Sequence, residues 1–264
     1  MRYIRHLTPD GPAWATLTSD GDTKAIAGDL FGEHTITDQH VTPSQVLAPI
    51  APTNIIGIGL NYRKHADEGK KNVPERPMWF VKTTGALQHP GEPILLPASS
   101  GKVDYEGELA IVIGRDAKNV SPENALDYVL GFTIAIDVSA RDWQFELGGG
   151  QFNHAKSFDT FCPLGPFLVD PAECPNPDNL KLTTRVNGEI RQDSTTANMV
   201  FDVRTLISFL STDRTLPAGT VILTGTPEGV GYARTPPLWL KAGDVIQVDI
   251  EGLGSLSNPV VAAS

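Results

Sequence analysis

Leu130-Gly131-Phe132-Thr133-Ile134-Ala135-Ile136 carries no charge over its whole length and then stops abruptly at Asp137. A membrane helix needs about 20 apolar residues, so this run is far too short to be one. Its near-continuous apolar character reads as a strand buried on both faces. The strand predicted at Glu108 to Ile113 continues behind its glutamate as a second such run, Leu109-Ala110-Ile111-Val112-Ile113. A chain with such strands must bury a sizeable core, and 264 residues suffice for that without disulfide staples.

Around these two runs the sequence reads as a β-dominated α+β fold with many Pro and Gly turns. Further strands are predicted at Asn54 to Leu60, Leu180 to Val186, Thr220 to Thr224 and Val245 to Ile250. Asn187-Gly188 is a strong hairpin signal after the second of these predicted strand regions. Three helices are expected: Ser121-Pro122-Glu123 opening one through Tyr128, a second from Ser139 through Glu146, and a third over Phe201 to Leu210. In the last, Val203, Leu206, Ile207 and Leu210 share a face. Residues 1–50 read as a small β-rich lobe, with Tyr3 to Leu7 and Trp14 to Thr18 alternating and Asp20-Gly21-Asp22 as a turn. The paired prolines of Leu47 to Pro52 separate this lobe from a larger domain over 51–264. The charge-dense segment Asn61 to Arg76 shows no apolar stripe and is expected as a short helix and a mobile loop.

The chemistry concentrates where apolar strands meet acids. In an extended chain Glu106 and Glu108 project on one side, at the mouth of a buried strand. Two dehydrated carboxylates so close must share a proton or hold a cation, and oxygen ligands suit Mg2+, Mn2+ or Ca2+ better than zinc. The plain alternative is a solvated strand end. Asp137 is placed as a third ligand, or as the cap of the helix that follows. Neither alternative is decided by spacing.

Composition narrows the partners. With 21 Lys+Arg against 31 Asp+Glu, the net charge of −10 argues against nucleic acid and anionic membrane surfaces. The first residues lack the apolar core of a signal peptide, and Cys162 and Cys174 show no disulfide or metal spacing, so a cytoplasmic protein is expected. Gly57-Ile58-Gly59 has no third glycine at dinucleotide-fold spacing, and there is no P-loop, GxSxG or HExxH. Cys162, in an apolar run, reads as core.

Five ordered blocks then give the sequence a resemblance. Asp104 to Ala110, Asp137 to Asp142, Lys156 to Pro166, Val186 to Gln192 and Thr224 to Gly231 resemble the signature blocks of the fumarylacetoacetate hydrolase family, spread over most of the chain from Asn54 to Gly254. The resemblance implies mixed β-sheets rolled into a sandwich-like core, usually as a homodimer. It implies Glu106, Glu108 and Asp137 as ligands of Mg2+ or Mn2+, with Ca2+ able to stand in, and Lys156 beside the metal. It also implies Arg141, Gln144 and Thr226 as substrate contacts, and His65 with Glu68 as a base–carboxylate pair on a mobile lid. The physics agrees on the pair, since residues i and i+3 on a helical turn are neighbours and a carboxylate fixes an imidazole's tautomer. Two departures stand out: Ile136 where relatives often carry a polar residue, and Asn153-His154-Ala155 before the lysine where they commonly carry glycine.

The implied activity is metal-dependent enolate chemistry on a small α-keto acid, foremost hydrolytic C–C cleavage of an acylpyruvate. Oxaloacetate-type decarboxylation and isomerisation of a 2-hydroxyhepta-2,4-diene-1,7-dioate-type substrate use the same ligands. A non-catalytic metabolite-binding relative is the alternative from another class.

Overall fold

The computed structural model describes residues 1–18 and 21–263, so Asp20 of the expected turn lies outside the described residues. The longer strands are β1 (Arg2–Thr8), β2 (Gly11–Leu17), β3 (Thr23–Gly28), β4 (His34–His40), β5 (Asn54–Gly59), β6 (Met78–Lys82) and β7 (Gly107–Ile113). They continue as β8 (Val129–Ile136), β9 (Cys162–Val169), β10 (Lys181–Val186), β11 (Glu189–Thr195), β12 (Thr220–Leu223), β13 (Val245–Ile250) and β14 (Gly254–Ala262). Helices are few and short: α1 (Arg63–Glu68), α2 (Asn153–Lys156) and α3 (Val203–Ser211). Among the described residues no helix is long and apolar enough to cross a membrane.

The two apolar runs become β7 and β8, paired antiparallel at the centre of the large sheet and buried at almost every residue. That sheet runs in the order β4-β3-β2-β1-β9-β8-β7-β12-β5-β6. It is mixed, because β12 lies parallel to β5 while its other neighbour, β7, is antiparallel. The N-terminal strands are hydrogen-bonded into the same sheet through β1 on β9. A second sheet, β11-β10-β13-β14 with Ile94–Leu96 at its edge, packs across β7 and β8. The hairpin joining β10 to β11 turns at Asn187 and Gly188, both with positive φ.

The two sheets approach closely at Gly107, between the two glutamates. A Cβ there would overlap Thr184 Oγ1 of β10 and press on Val248 of β13. Only glycine lets the second sheet lie this near the point where Glu106 and Glu108 emerge.

Three local expectations are corrected. Ser139 and Ala140 do not start a helix; they pair antiparallel with Val103–Asp104, because their buried backbone finds its hydrogen bonds there. The helical segment that follows, Trp143–Leu147, is wound as a single wide π-type turn, a form common beside functional sites. Pro122–Tyr128 is a 3-10 helix rather than an α-helix, and the Ser121 side chain makes no cap hydrogen bond. The segment after β5 is held more firmly than its polar sequence implies. Asn61, Tyr62, His65 and Ala66 are buried, and Asn61 Nδ2 donates to Thr224 O (2.7 Å) and Phe201 O (3.0 Å). α3 forms as expected, capped by Asp202 accepting from the Thr205 amide at 2.8 Å, with the four named apolar residues buried.

Candidate active site

Glu106 and Glu108 flank Gly107 at the start of β7, and Asp137 follows the last residue of its partner β8. The Asp137 amide donates to Glu106 O at 2.8 Å, which locks the two strand ends together. Three carboxylate oxygens, one from each residue, therefore lie within 4.8 Å of one another, and all three residues are buried.

A web of cations surrounds this triad. Lys156 Nζ donates to Glu106 Oε2 at 2.5 Å and to Asp137 Oδ2 at 2.7 Å. Lys82 Nζ donates to Asp137 Oδ1 at 2.6 Å. Arg141 reaches Glu106 Oε1 (2.6 Å), Asp104 Oδ2 (2.9 Å) and Gln144 Oε1 (2.7 Å). Burial alone would raise the Glu106 carboxyl, but the Lys156 and Arg141 cations outweigh it and hold the group well below the usual carboxylate range. Glu108 goes the other way. Burial, then the negative charges of Asp137 and Glu106, push its carboxyl well above the ordinary value, against the weaker pull of Lys156 and of the Gly225 amide, which donates to it at 2.7 Å. Burial opposes the charge on Lys156, yet Asp137 and Glu106 more than restore it, so the ammonium is strengthened.

The donor set fits a hard divalent cation. Three oxygen ligands converge in a buried site, and the burial and acidic neighbours that raise Glu108 impose a penalty on its charge that a bound cation relieves.

The expected dyad is also brought to this place. His65 Nδ1 and Glu68 Oε1 are 2.8 Å apart on α1, while Glu68 Oε2 accepts from the Gly229 amide at 2.8 Å. A carboxylate only accepts, so Nδ1 carries a proton, which in the neutral imidazole leaves the lone pair on Nε2. Thr226 Oγ1 donates to Gly107 O (3.0 Å) and accepts from Gln192 Nε2 (2.7 Å). His65, Lys156, Glu106, Glu108, Arg141, Gln144 and Thr226 all border one cavity. The rest of its lining is largely apolar, with Met78 and Phe80 of β6 beside Phe145, Phe152 and Tyr232. Asp137 lies beneath the cavity rather than on its wall, and Glu68 stands behind His65.

Several residues of this site escape a reading of the sequence. Lys82 had a usable signal: strand alternation puts it on the same inward face as Phe80, and a charge on a buried face needs a partner. Asp104 holds Arg141 from below and accepts from the Gly231 and Tyr232 amides at 2.7 and 3.0 Å. Gln192, across the second sheet, ties the Gly107 amide (3.0 Å) to Thr226. Nothing local announces either. His154 is exposed and stacks on Trp143, with ring centroids 4.3 Å apart, outside the cavity.

Residues 54–261 match the family model described as fumarylacetoacetate (FAA) hydrolase C-terminal, and residues 1–49 match one described as Rv2993c-like, N-terminal. A mitochondrial oxaloacetate tautomerase of Xenopus laevis is 48% identical over 229 residues, covering 85% of this chain and 72% of its own. The crystal structure of a 5-carboxymethyl-2-hydroxymuconate delta-isomerase from Mycobacterium smegmatis is 42% identical with a TM-score of 0.88, over 100% of both chains. A fumarylacetoacetate hydrolase from Exiguobacterium antarcticum is 37% identical with a TM-score of 0.90, again over 100% of both.

Proposed function

This chain belongs to the fumarylacetoacetate hydrolase family, and from that premise we propose that it is a divalent-metal-dependent enzyme that moves a proton on a small α-keto acid, interconverting keto and enol forms through an enolate. The observation that carries this reading is that a charge sink and a base border one largely apolar cavity. Glu106, Glu108 and Asp137 would hold Mg2+ or Mn2+, and such an ion supplies positive charge that lowers the cost of an enolate.

The chain's own groups do the rest. His65 Nε2 takes the proton from the carbon beside the keto group. The C–H electron pair becomes the new C=C bond, and the keto oxygen takes the negative charge. The Lys156 ammonium is the donor for that oxygen, and burial makes such a preorganised donor worth more than in water. Glu68 holds the imidazole in the tautomer that can accept and keeps the resulting imidazolium paired. Proton return from Nε2 to oxygen completes the enol. Phe80, Phe145, Phe152 and Tyr232 exclude water that would quench the charge differences. The tautomerase and isomerase names of the relatives, at 48% and 42% identity, support this order of preference.

Hydrolysis of an acylpyruvate is the second reading, favoured by the fixed His65–Glu68 pair. There Nε2 takes a proton from water, the hydroxide adds to the distal carbonyl, and the breaking C–C bond leaves its electrons on the pyruvate enolate. Decarboxylation of oxaloacetate would need the same enolate without the water.

The test is an ultraviolet assay of keto–enol exchange with oxaloacetate, run beside acetylpyruvate cleavage, with Mg2+ or Mn2+. Exchange faster than cleavage is expected, and the reverse promotes the hydrolase reading. Unchanged turnover in excess EDTA defeats the metal requirement. Glu68→Gln is expected to slow exchange roughly 100-fold, the usual worth of a positioned acid–base group.

A further inference from the structure

The charged groups bordering the cavity divide into two kinds. Glu106, Glu108, Arg141 and Lys156 form its floor, and each is hydrogen-bonded within the protein, as is the His65 imidazole through Glu68. Lys71 is the exception. It borders the same cavity, is exposed, and its ammonium has no hydrogen bond or ion pair among the described residues.

Its placement is built into the backbone. α1 ends at Glu68, and Gly69 donates its amide to His65 O at 3.2 Å. Lys70 follows with φ 53°, the left-handed turn that closes many helices, and the Lys71 amide then donates back to Ala66 O at 2.8 Å. Gly69 sits so close to Tyr232 that a Cβ would overlap the phenol oxygen. Tyr232 is itself boxed by Arg141 (4.6 Å to the ring centroid) and by Phe145 (5.5 Å between rings). The turn that delivers Lys71 is thus clamped against the cavity wall.

Charge balance gives that ammonium a task. Once a bound ion ionises Glu108, the core side chains are the carboxylates Asp104, Glu106, Glu108 and Asp137 against the cations Lys82, Lys156 and Arg141, one negative charge in excess before the ion's own charge is counted. A divalent ion turns this into one positive charge in excess, which a single substrate carboxylate satisfies. A second carboxylate would gain nothing more from the floor, and the apolar part of the lining offers it Met78, Phe80, Phe145 and Phe152. Lys71 is the unpaired cation on that cavity's border.

We infer that Lys71 is a specificity-determining residue that receives the distal carboxylate of a dicarboxylic 2-oxo acid, so that this enzyme prefers dianionic substrates to monoanionic ones. The inference deepens the reading of the site as a metal-assisted keto-acid site and rests on it. It assigns Lys71 to binding, remote from the reacting atoms, and so to KM rather than kcat.

The experiment measures calorimetric binding of oxaloacetate and of pyruvate to the Mg2+-loaded protein, with steady-state kinetics on oxaloacetate. Lys71→Ala should weaken oxaloacetate about tenfold, as expected for one charge-assisted hydrogen bond at an accessible position, and leave pyruvate within about twofold. The loss should fall on KM. Lys71→Arg should retain most of the preference, and Lys71→Glu should weaken oxaloacetate further. Raising ionic strength should erode the wild-type preference and leave the Lys71→Ala variant nearly unaffected. An unchanged oxaloacetate-to-pyruvate ratio in Lys71→Ala, or equal loss of both ligands, overturns the assignment while leaving the keto-acid site standing. Failure of both ligands to bind the wild type overturns the keto-acid reading and the Lys71 assignment with it.

Discussion

Glu108 is the residue on which the electrostatics of the site turns. Its carboxyl is raised by burial and by Asp137 and Glu106, so the folded metal-free chain keeps its proton past the pH at which the unfolded chain loses it. Stability from this group is therefore full below the ordinary carboxylate range and declines as pH climbs from there toward the raised value. A divalent ion reverses the penalty by favouring the charged form. Thermal melts with and without Mg2+ should show a larger metal-induced rise in Tm at pH 8 than at pH 5.5, and an equal rise at both would contradict this account. Lys82 offers a companion test. Its ammonium and the Asp137 carboxylate are both buried and 2.6 Å apart, so Lys82→Ala leaves Asp137 a partner short. The expected cost is about 3 kcal/mol in denaturant unfolding, at the low end for breaking a buried pair, because Lys156 still pairs with Asp137. Saturating Mg2+ should recover part of it, because the ion replaces the missing positive charge.

At the level of elements, the short helix α1 matters more than its six residues suggest. Its N-terminal side is anchored by buried Asn61 and Tyr62, its last residue by Glu68 on the Gly229 amide, and the turn beyond by Gly69 against Tyr232. Gly69→Ala forces either Tyr232 or the helix end to move. It should lower kcat/KM by roughly tenfold through misplacement of His65, with Mg2+ affinity unchanged by calorimetry. Loss of metal binding in that variant would show that helix and triad are not separable. The same elements show what a sequence can reveal. β7 and β8 were readable because a buried strand writes its environment into every residue, and the acids at their ends stood out against that apolar background. The two strand residues Ser139 and Ala140 were not readable as such, since their partners Val103 and Asp104 lie more than thirty positions earlier. The burial of His65 was equally hidden. It is supplied by groups as distant as Tyr232, and a local window sees only the charges of Arg63 to Glu68.

For the whole molecule, the governing relation is the contact of the two sheets at Gly107. Thr184 of β10 and Val248 of β13 leave no room for a methyl group, so Gly107→Ala should cost roughly 2 kcal/mol or more in unfolding and loosen the spacing of Glu106 and Glu108. A variant of undiminished stability and metal affinity would show that the sheets yield freely there. The parallel pairing of β5 with β12 has a further consequence. His65 follows the first of these strands, and the Gly229 amide that steadies Glu68 follows the second, with more than 150 residues between them. A growing polypeptide leaving the ribosome therefore carries His65 long before it carries the brace for the His65–Glu68 pair. Competence must arrive in one late event, once the region around residue 230 has been made and threaded beside a strand synthesised far earlier.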